Sequence, residues 1–497
     1  MTMKKCALIG CLFLALTGAA SAEEGMWLPS QTPALAPALR QAGLELDPAV
    51  LGDLSRPPWN AIVSLGGCSA AFVSAQGLIA TNHHCVAGSI QYNSSEENNY
   101  LRDGFLAAEL GDEAPAAPGS RVFVIDDLRD VTREMNRGVS ARLDGSTRYN
   151  RLEANRVALI DACERQPNRR CDVRAYYGGA VYYLQQQLEI RDVRLVYAPA
   201  EGIGNFGGET DNWQWPRHTG DFGFYRAYVA PDGSSATFSE SNVPYRPRSW
   251  LRIASEGVRE GDFIMVAGFP GTTDRLRTAA EADFYYRDYY PLQQGLLSEY
   301  SDEINRATLG DEAATIRYAS ILRGADNYKK KLLGQIAGAE RVRLVERKSE
   351  QEQAFRAWVA ASGTRARTYE PVITALDRLI EESNQAAASD LRGSVLNRAQ
   401  LLFAARRLYR WAQERGRPDA EREPGYRDRD RQNFIEYLRQ IERRYEPGVD
   451  RRLLEQALLE YRQLPTDRRN QALERRLGRL VSTASMPTRS LATLQRA

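Results

Sequence analysis

Three features are scarce in this sequence, and each scarcity narrows the class of protein. The sequence has almost no excess of basic residues: it contains 66 Lys and Arg and 64 Asp and Glu, which gives a formal net charge of +2. A nucleic-acid binder normally concentrates basic charge, so we expect no nucleic-acid partner. No long apolar run follows the N-terminal segment, so we expect a soluble mature protein with no membrane association. Histidine occurs three times, at His83, His84 and His218, which leaves few candidates for a general base.

The N-terminal segment has the pattern of a secretory signal peptide. Lys4 and Lys5 precede a short apolar run, and Ala20-Ser21-Ala22 follows as a small-residue cleavage site. The apolar run is short for a membrane span, and an N-terminal anchor is the alternative. We therefore predict residues 1–22 as a signal peptide and a mature protein that is periplasmic or secreted.

Export changes how the cysteines are interpreted. Six cysteines occur, and two of them fall within the predicted signal peptide. The other four are Cys68, Cys85, Cys163 and Cys171. An even number in an oxidising compartment predicts disulfides, and pairing Cys68 with Cys85 and Cys163 with Cys171 closes two short loops. A zinc site is the alternative, but no C-x-x-C spacing is present.

Two regions of different character follow the signal. Short apolar runs broken by glycine turns extend from Trp59 to about Arg275 and predict many short strands, as in a barrel or sandwich. One of these predicted strands is Phe263–Ala267. A more polar stretch, Val131–Arg174, is predicted to be a helical insertion on the barrel. From Ala279 onward, apolar residues recur at helical spacing with Arg and Glu between them. We predict a β-rich domain over residues 23–278 and an α-helical domain over 279–497, which together form a mixed β and α fold.

The string Thr81-Asn82-His83-His84-Cys85 contains the best candidate for a catalytic base. In chymotrypsin-like proteases a disulfide ties the loop of the general-base histidine to the neighbouring strand, and Cys68 and Cys85 are placed to do this for His84. A structural histidine beside a disulfide is the alternative. A metal site of all three histidines is a second one, but adjacent residues of a strand point to opposite faces.

A histidine base requires a carboxylate to orient it. Asp221 precedes a strand-like run, and Asp211 lies in a loop rich in glycine and tryptophan. The residues alone favour Asp221 without excluding Asp211.

Three strings, TNHHC, GNFGGETDNWQWPRHTGDF and GFPGTTDR, resemble the bacterial serine dipeptidyl-peptidases of peptidase family forty-six. This resemblance implies a chymotrypsin-like β-barrel with an inserted helical domain, no cofactor, no metal, and a homodimer. It also implies that oligopeptides with a free N-terminus are the substrates. His84 then matches the family's base and Asp221 its orienting aspartate. Asn212, Trp213 and Asn327 match the residues that bind the substrate's α-ammonium, and the helical domain is expected to act as a lid.

The family's nucleophile is the missing element. Its serine lies in a GNSGSP-like string, and this sequence contains none. We therefore expect a C-terminally truncated serine dipeptidyl-peptidase whose second barrel is absent and which is inactive alone. A catalytically inactive protein that binds peptides through their free N-termini is one alternative. A metal-dependent hydrolase that uses the histidines is the other.

Overall fold

The computed structural model describes residues 27–476, except for residues 55, 96, 167, 270, 272, 273 and 275. The predicted signal peptide lies outside the described residues, as do residues 477–497 of the predicted helical domain and several residues of the GFPGTTDR string.

Short antiparallel strands form one sheet in the first half of the described chain. Its main path has the order β4-β9-β10-β3-β2-β1-β6-β8-β7, with β11 paired to β10 and β5 paired to β9. The strands are β1 (Ile62–Ser64), β2 (Ser69–Phe72), β3 (Leu78–Thr81), β4 (Phe105–Leu106), β5 (Ala114–Pro115), β6 (Val122–Asp130), β7 (Arg169–Tyr176), β8 (Val181–Ile190), β9 (Asp192–Ala198), β10 (Gly223–Val229) and β11 (Val243–Pro244).

Helices form most of the second half. The α-helices are α1 (Ala36–Gln41), α2 (His83–Asn93), α3 (Tyr100–Asp103), α4 (Thr132–Met135), α5 (Gly145–Glu164), α6 (Glu201–Gly204), α7 (Gly208–Asp211), α8 (Ala279–Phe284), α9 (Tyr290–Thr308), α10 (Glu312–Arg341), α11 (Leu344–Ala360), α12 (Gly363–Ser394), α13 (Gln400–Glu414), α14 (Arg431–Arg444) and α15 (Pro447–Arg462). A π-helical turn, Tyr285–Tyr289, joins α8 to α9. Short 3₁₀ turns occur at Pro29–Leu35, Val50–Gly52, Trp59–Ala61, Leu110–Asp112, Tyr177–Gly179, Val395–Arg398, Asp419–Glu421, Asp428–Asp430 and Thr466–Arg468.

The sheet surrounds a core of alternating apolar side chains. Phe72, Ile79 and Leu195 are fully buried there, and α2 adds Val86 and Ile90 to the same core. Every second residue of each strand points to the core face of the sheet. The apolar face of α2 packs on that core face. The predicted mixture of a β-rich region followed by helices is confirmed, while its division at residue 278 stays a prediction.

Two predicted elements are wrong. The end of the predicted helical insertion is strand β7, whose Cys171 and Val173 are buried and whose whole length pairs with β8. Cys171 and Val173 are two residues apart, so they lie on the same face of the strand, where they pack against Ile160 and Cys163 of α5. Phe263–Ala267 is not a strand, and Ile264 and Val266 are exposed. Strand-like composition gives a strand only beside a pairing partner, and none of the described strands pairs with it.

The helices dock on the β-rich region through arginines. Arg121 pairs with Glu436 at 2.7 Å, and Arg427 pairs with Asp161 at 2.7 Å. In the N-terminal part of α10, the backbone carbonyls of Ile316 and Arg317 accept hydrogen bonds from the Gln91 side chain. Within the described ranges, no helix is both long enough and apolar enough to cross a membrane.

Candidate active site

The support of His84 is built from a strand end, a helix start and a cross-link. Strand β3 ends at Thr81, Asn82 has an extended backbone, and α2 begins immediately after it. The disulfide Cys68–Cys85, with its Cα atoms 6.2 Å apart, ties the first turn of α2 to the residue preceding β2. His84 is therefore fixed between the end of an interior strand and a covalent link.

Both histidines of this string were predicted on a strand, and the structure places them in the first turn of α2 instead. The alternating pattern of β3 ends at Thr81, and from there Val86 and Ile90, four residues apart, bury one helical face. The two side chains still point to different surroundings. His83 is buried, with 2% of its surface exposed, whereas the His84 side chain is 59% exposed.

Asp221 contacts His84 in two ways. Its Oδ2 lies 2.9 Å from His84 Nδ1, and its Oδ1 accepts a hydrogen bond of 3.1 Å from the His84 backbone N–H. The amide of Asn82 donates to the same carboxylate at 3.3 Å. The contact follows from strand register, because Thr81 at the end of β3 lies opposite Gly223 at the start of β10.

The carboxylate fixes the protonation of the imidazole. Burial alone would raise the pKa of Asp221, but the hydrogen bonds from His84 and the nearby positive charge of Arg217 outweigh burial and hold that pKa below its usual value. An ionised carboxylate only accepts, so Nδ1 of His84 carries the proton. Nε2 is then the basic nitrogen, and none of the described residues hydrogen-bonds to it. The arrangement suits a general base that receives a proton at Nε2.

The other candidates for this role lie elsewhere. Asp211 ends α7 with its carboxylate against Gly207, and His218 is exposed in the loop after it. Ligand atoms of Cys68, His84 and Cys85 lie within 4.8 Å of one another, but both sulfurs are bonded in the disulfide. A disulfide offers no thiolate, so this cluster does not fit a metal ion.

The three residues expected to bind an α-ammonium come together from two distant segments of the chain. Asn212 and Trp213 follow α7, and Asn327 projects from α10. Asn327 Oδ1 accepts hydrogen bonds from Asn212 Nδ2 at 2.8 Å and from Trp213 Nε1 at 3.0 Å. Trp213 has a left-handed backbone, with φ of 58°. Strained backbone of this kind concentrates at binding sites, which is consistent with a site here.

Two charged residues of this cluster were missed by the sequence reasoning. Glu209 Oε2 accepts from Asn212 Nδ2 at 2.8 Å, and Arg217 Nη1 donates to Asn212 Oδ1 at 3.3 Å. The spacing of three residues between Glu209 and Asn212, across a single helical turn, is the signal that could have indicated the first contact.

A second contact between α10 and the β-rich region lies beside this cluster. Arg323, one turn before Asn327, pairs with Glu201 of α6 at 3.2 Å. Both residues line a cavity of about 410 Å³ that also includes Glu209. His83 is buried nearby, and burial lowers its pKa, with the charge of Arg323 acting in the same direction.

Comparisons with known proteins find relatives along most of this chain. A sequence model described as Peptidase S46 matches residues 22–493. An Asp/Glu-specific dipeptidyl-peptidase of Shewanella putrefaciens is 41% identical over 455 residues, which are 92% of this chain and 61% of the relative. Dipeptidyl-peptidase 7 of Porphyromonas gingivalis is 32% identical over 94% of this chain and 64% of its own length. This chain therefore spans less than two thirds of the length of these relatives.

A solved structure has a similar fold. The crystal structure of Porphyromonas endodontalis DPP11 in complex with the dipeptide Arg-Glu superposes with a TM-score of 0.73 at 30% identity. The match covers 90% of this chain and 64% of that one.

Proposed function

This chain belongs to the Peptidase S46 family, and on that premise we propose that it carries the base pair and the amine-binding site of a serine-type dipeptidyl-peptidase. The observation that carries the proposal is the hydrogen bond of 2.9 Å between Asp221 and Nδ1 of the exposed His84. A peptide bound between Asn327 and His84 loses its first two residues.

The proposed chemistry is acyl transfer to a serine. His84 Nε2 takes the proton of the serine hydroxyl as that oxygen attacks the carbonyl carbon of the second residue. The protonated imidazole, stabilised by Asp221, returns the proton to the leaving amine. Water, deprotonated by the same nitrogen, then hydrolyses the acyl-enzyme and frees the dipeptide.

Asn212, Trp213 and Asn327 are the proposed exopeptidase determinants. An ammonium group donates only, so amide and backbone oxygens suit it, and an indole face attracts a cation. Because Asn327 belongs to α10, we propose that the helical region over residues 279–497 closes one end of the cleft as a lid.

The nucleophile is not among the described neighbours of His84. No serine hydroxyl of residues 27–476, apart from the few undescribed positions, hydrogen-bonds to its Nε2. We propose that the nucleophile serine lies outside this set, because the sequence contains no GNSGSP-like string. The second candidate function is that of a protein that binds free peptide N-termini without cleaving them.

Turnover tests these alternatives. The purified chain of 497 residues is incubated with fluorogenic dipeptidyl substrates and with oligopeptides analysed by mass spectrometry. We expect no dipeptide release from the chain alone. Release that His84→Ala abolishes, while His218→Ala leaves it intact, would contradict the missing nucleophile and place the serine within this chain.

We further propose a periplasmic or secreted location, which the signal-like N-terminus and the two disulfides support. A homodimer is proposed from family membership alone.

A further inference from the structure

The carboxamide of Asn212 is held at both ends by charged groups. Glu209 accepts from Nδ2 at 2.8 Å, and Arg217 donates to Oδ1 at 3.3 Å. A carboxylate can only accept and a guanidinium can only donate, so the two contacts fix which way the amide faces. The contact with Glu209 is the shorter of the two.

Two neighbouring carboxylates have ion-pair partners, whereas Glu209 has none among the described residues. Asp326 pairs with Lys329 at 2.7 Å, and Glu201 pairs with Arg323 at 3.2 Å. Glu209 lines the cavity of about 410 Å³. This cavity lies beside Asn212, Trp213 and Asn327, which we call the amine cluster. Glu209 therefore places a carboxylate without a direct ion-pair partner next to Asn212.

An ammonium group at this cluster also meets a positive charge. The Arg217 guanidinium lies against Asn212 Oδ1 and repels a second cation. A negative charge on the opposite side of the same amide offsets this repulsion, and Glu209 is the group in that position.

We propose that Glu209 is a positioning residue of the amine site, which orients Asn212 and supplies the charge that selects a free peptide N-terminus over a blocked one. The inference rests on the proposed function, because it assumes that Asn212, Trp213 and Asn327 bind an α-ammonium. Glu209 lies in the first turn of α7. If its role were only structural, replacing it would change the stability of the fold without changing this selectivity.

Calorimetric titration of the full chain tests the proposal. The probes are the dipeptide Arg-Glu and N-acetyl-Arg-Glu, which differ in the α-amine and share the arginine side chain. We expect the wild-type chain to prefer the free amine. Glu209→Gln, which keeps the shape and removes the charge, should reduce the ratio of the two affinities about tenfold, or about 1.4 kcal/mol.

Two further variants separate charge from fold. Glu209→Asp keeps the charge and should retain more of the preference than Glu209→Gln. Glu240→Gln, at an exposed position without an ion pair to any described residue, should keep the wild-type ratio. An unchanged ratio in Glu209→Gln, with wild-type preference intact, would overturn the role of Glu209 alone. Equal affinity of the wild-type chain for both probes would overturn the proposed function and this inference with it.

Discussion

Asp221 determines which nitrogen of His84 can accept a proton. It contacts both Nδ1 and the backbone N–H of that residue, so the side chain and the start of α2 are held by the same carboxylate. The residues alone did not exclude Asp211 as the orienting carboxylate, because the sequence does not show which loop meets the end of β3. Strand register settles the geometry, since β10 pairs with β3 directly after Asp221.

The depressed pKa of Asp221 predicts a pH-dependent stability contribution. A carboxyl group whose pKa is lower in the folded state than in the unfolded chain stabilises the fold above its ordinary pKa of about 3.9, and this contribution is lost as the pH falls through the folded value. Asp221→Asn should therefore lower the free energy of unfolding at pH 7 by about 1 to 2 kcal/mol. Denaturant unfolding across pH 2 to 7 measures this.

The difference between wild type and Asp221→Asn should shrink as the pH falls below about 4. Asp288→Asn is the matched control, since Asp288 is exposed and forms no ion pair with the described residues. A pH-independent difference for Asp221→Asn would show that its charge makes no contribution to stability.

Helix α6 positions the site through a close approach that no sequence pattern reveals. Gly204, at its end, lies against the buried ring of His83, where a Cβ atom would be only 2.4 Å from the ring. The sequence shows glycines that suit turns, but the contact of Gly204 with His83 comes from the packing of α6 on α2. The strand predicted for His83 and His84 failed for the same kind of reason, because the packing of Val86 and Ile90 favours a helix.

Substitution at Gly204 should be far more costly than at Gly202 of the same helix. Gly204→Ala forces the His83 ring to move and should destabilise the fold by about 1 to 3 kcal/mol. Gly202→Ala has no heavy atom within 4 Å of the added Cβ and should leave the melting temperature unchanged or slightly raised. Equal melting temperatures for the two variants in thermal unfolding would contradict the close packing of Gly204 on His83.

At the scale of the whole molecule, the amine cluster exists only because two distant segments of the chain meet. Asn212 and Trp213 belong to the β-rich region, and Asn327 lies on α10. The ion pair of Arg323 with Glu201 holds α10 against the β-rich region at a distance of a single helical turn from Asn327. Arginines of the helical region make further docking contacts of this kind, among them that of Arg427 with Asp161.

The sequence predicted the order of the two regions and supplied candidate residues for the site, but it did not show how they are joined. Local patterns show where strands and helices occur, and a long specific string such as GNFGGETDNWQWPRHTGDF identifies the site residues by resemblance. Contacts over more than a hundred residues, such as that of Glu201 with Arg323, leave no periodic signal. Glu209 was overlooked because its contact with Asn212 depends on the short helix α7.

A crystal structure of this chain soaked with the dipeptide Arg-Glu tests most directly whether the β-rich region and α10 form one site for a free N-terminus. We predict that the ammonium group lies within about 3 Å of acceptor oxygens of Asn327 and its neighbours Asn212 and Trp213. The carboxylate end of the dipeptide should point toward Nε2 of His84. A dipeptide bound in the reverse direction, or bound away from Asn327, would contradict the proposed recognition of free N-termini.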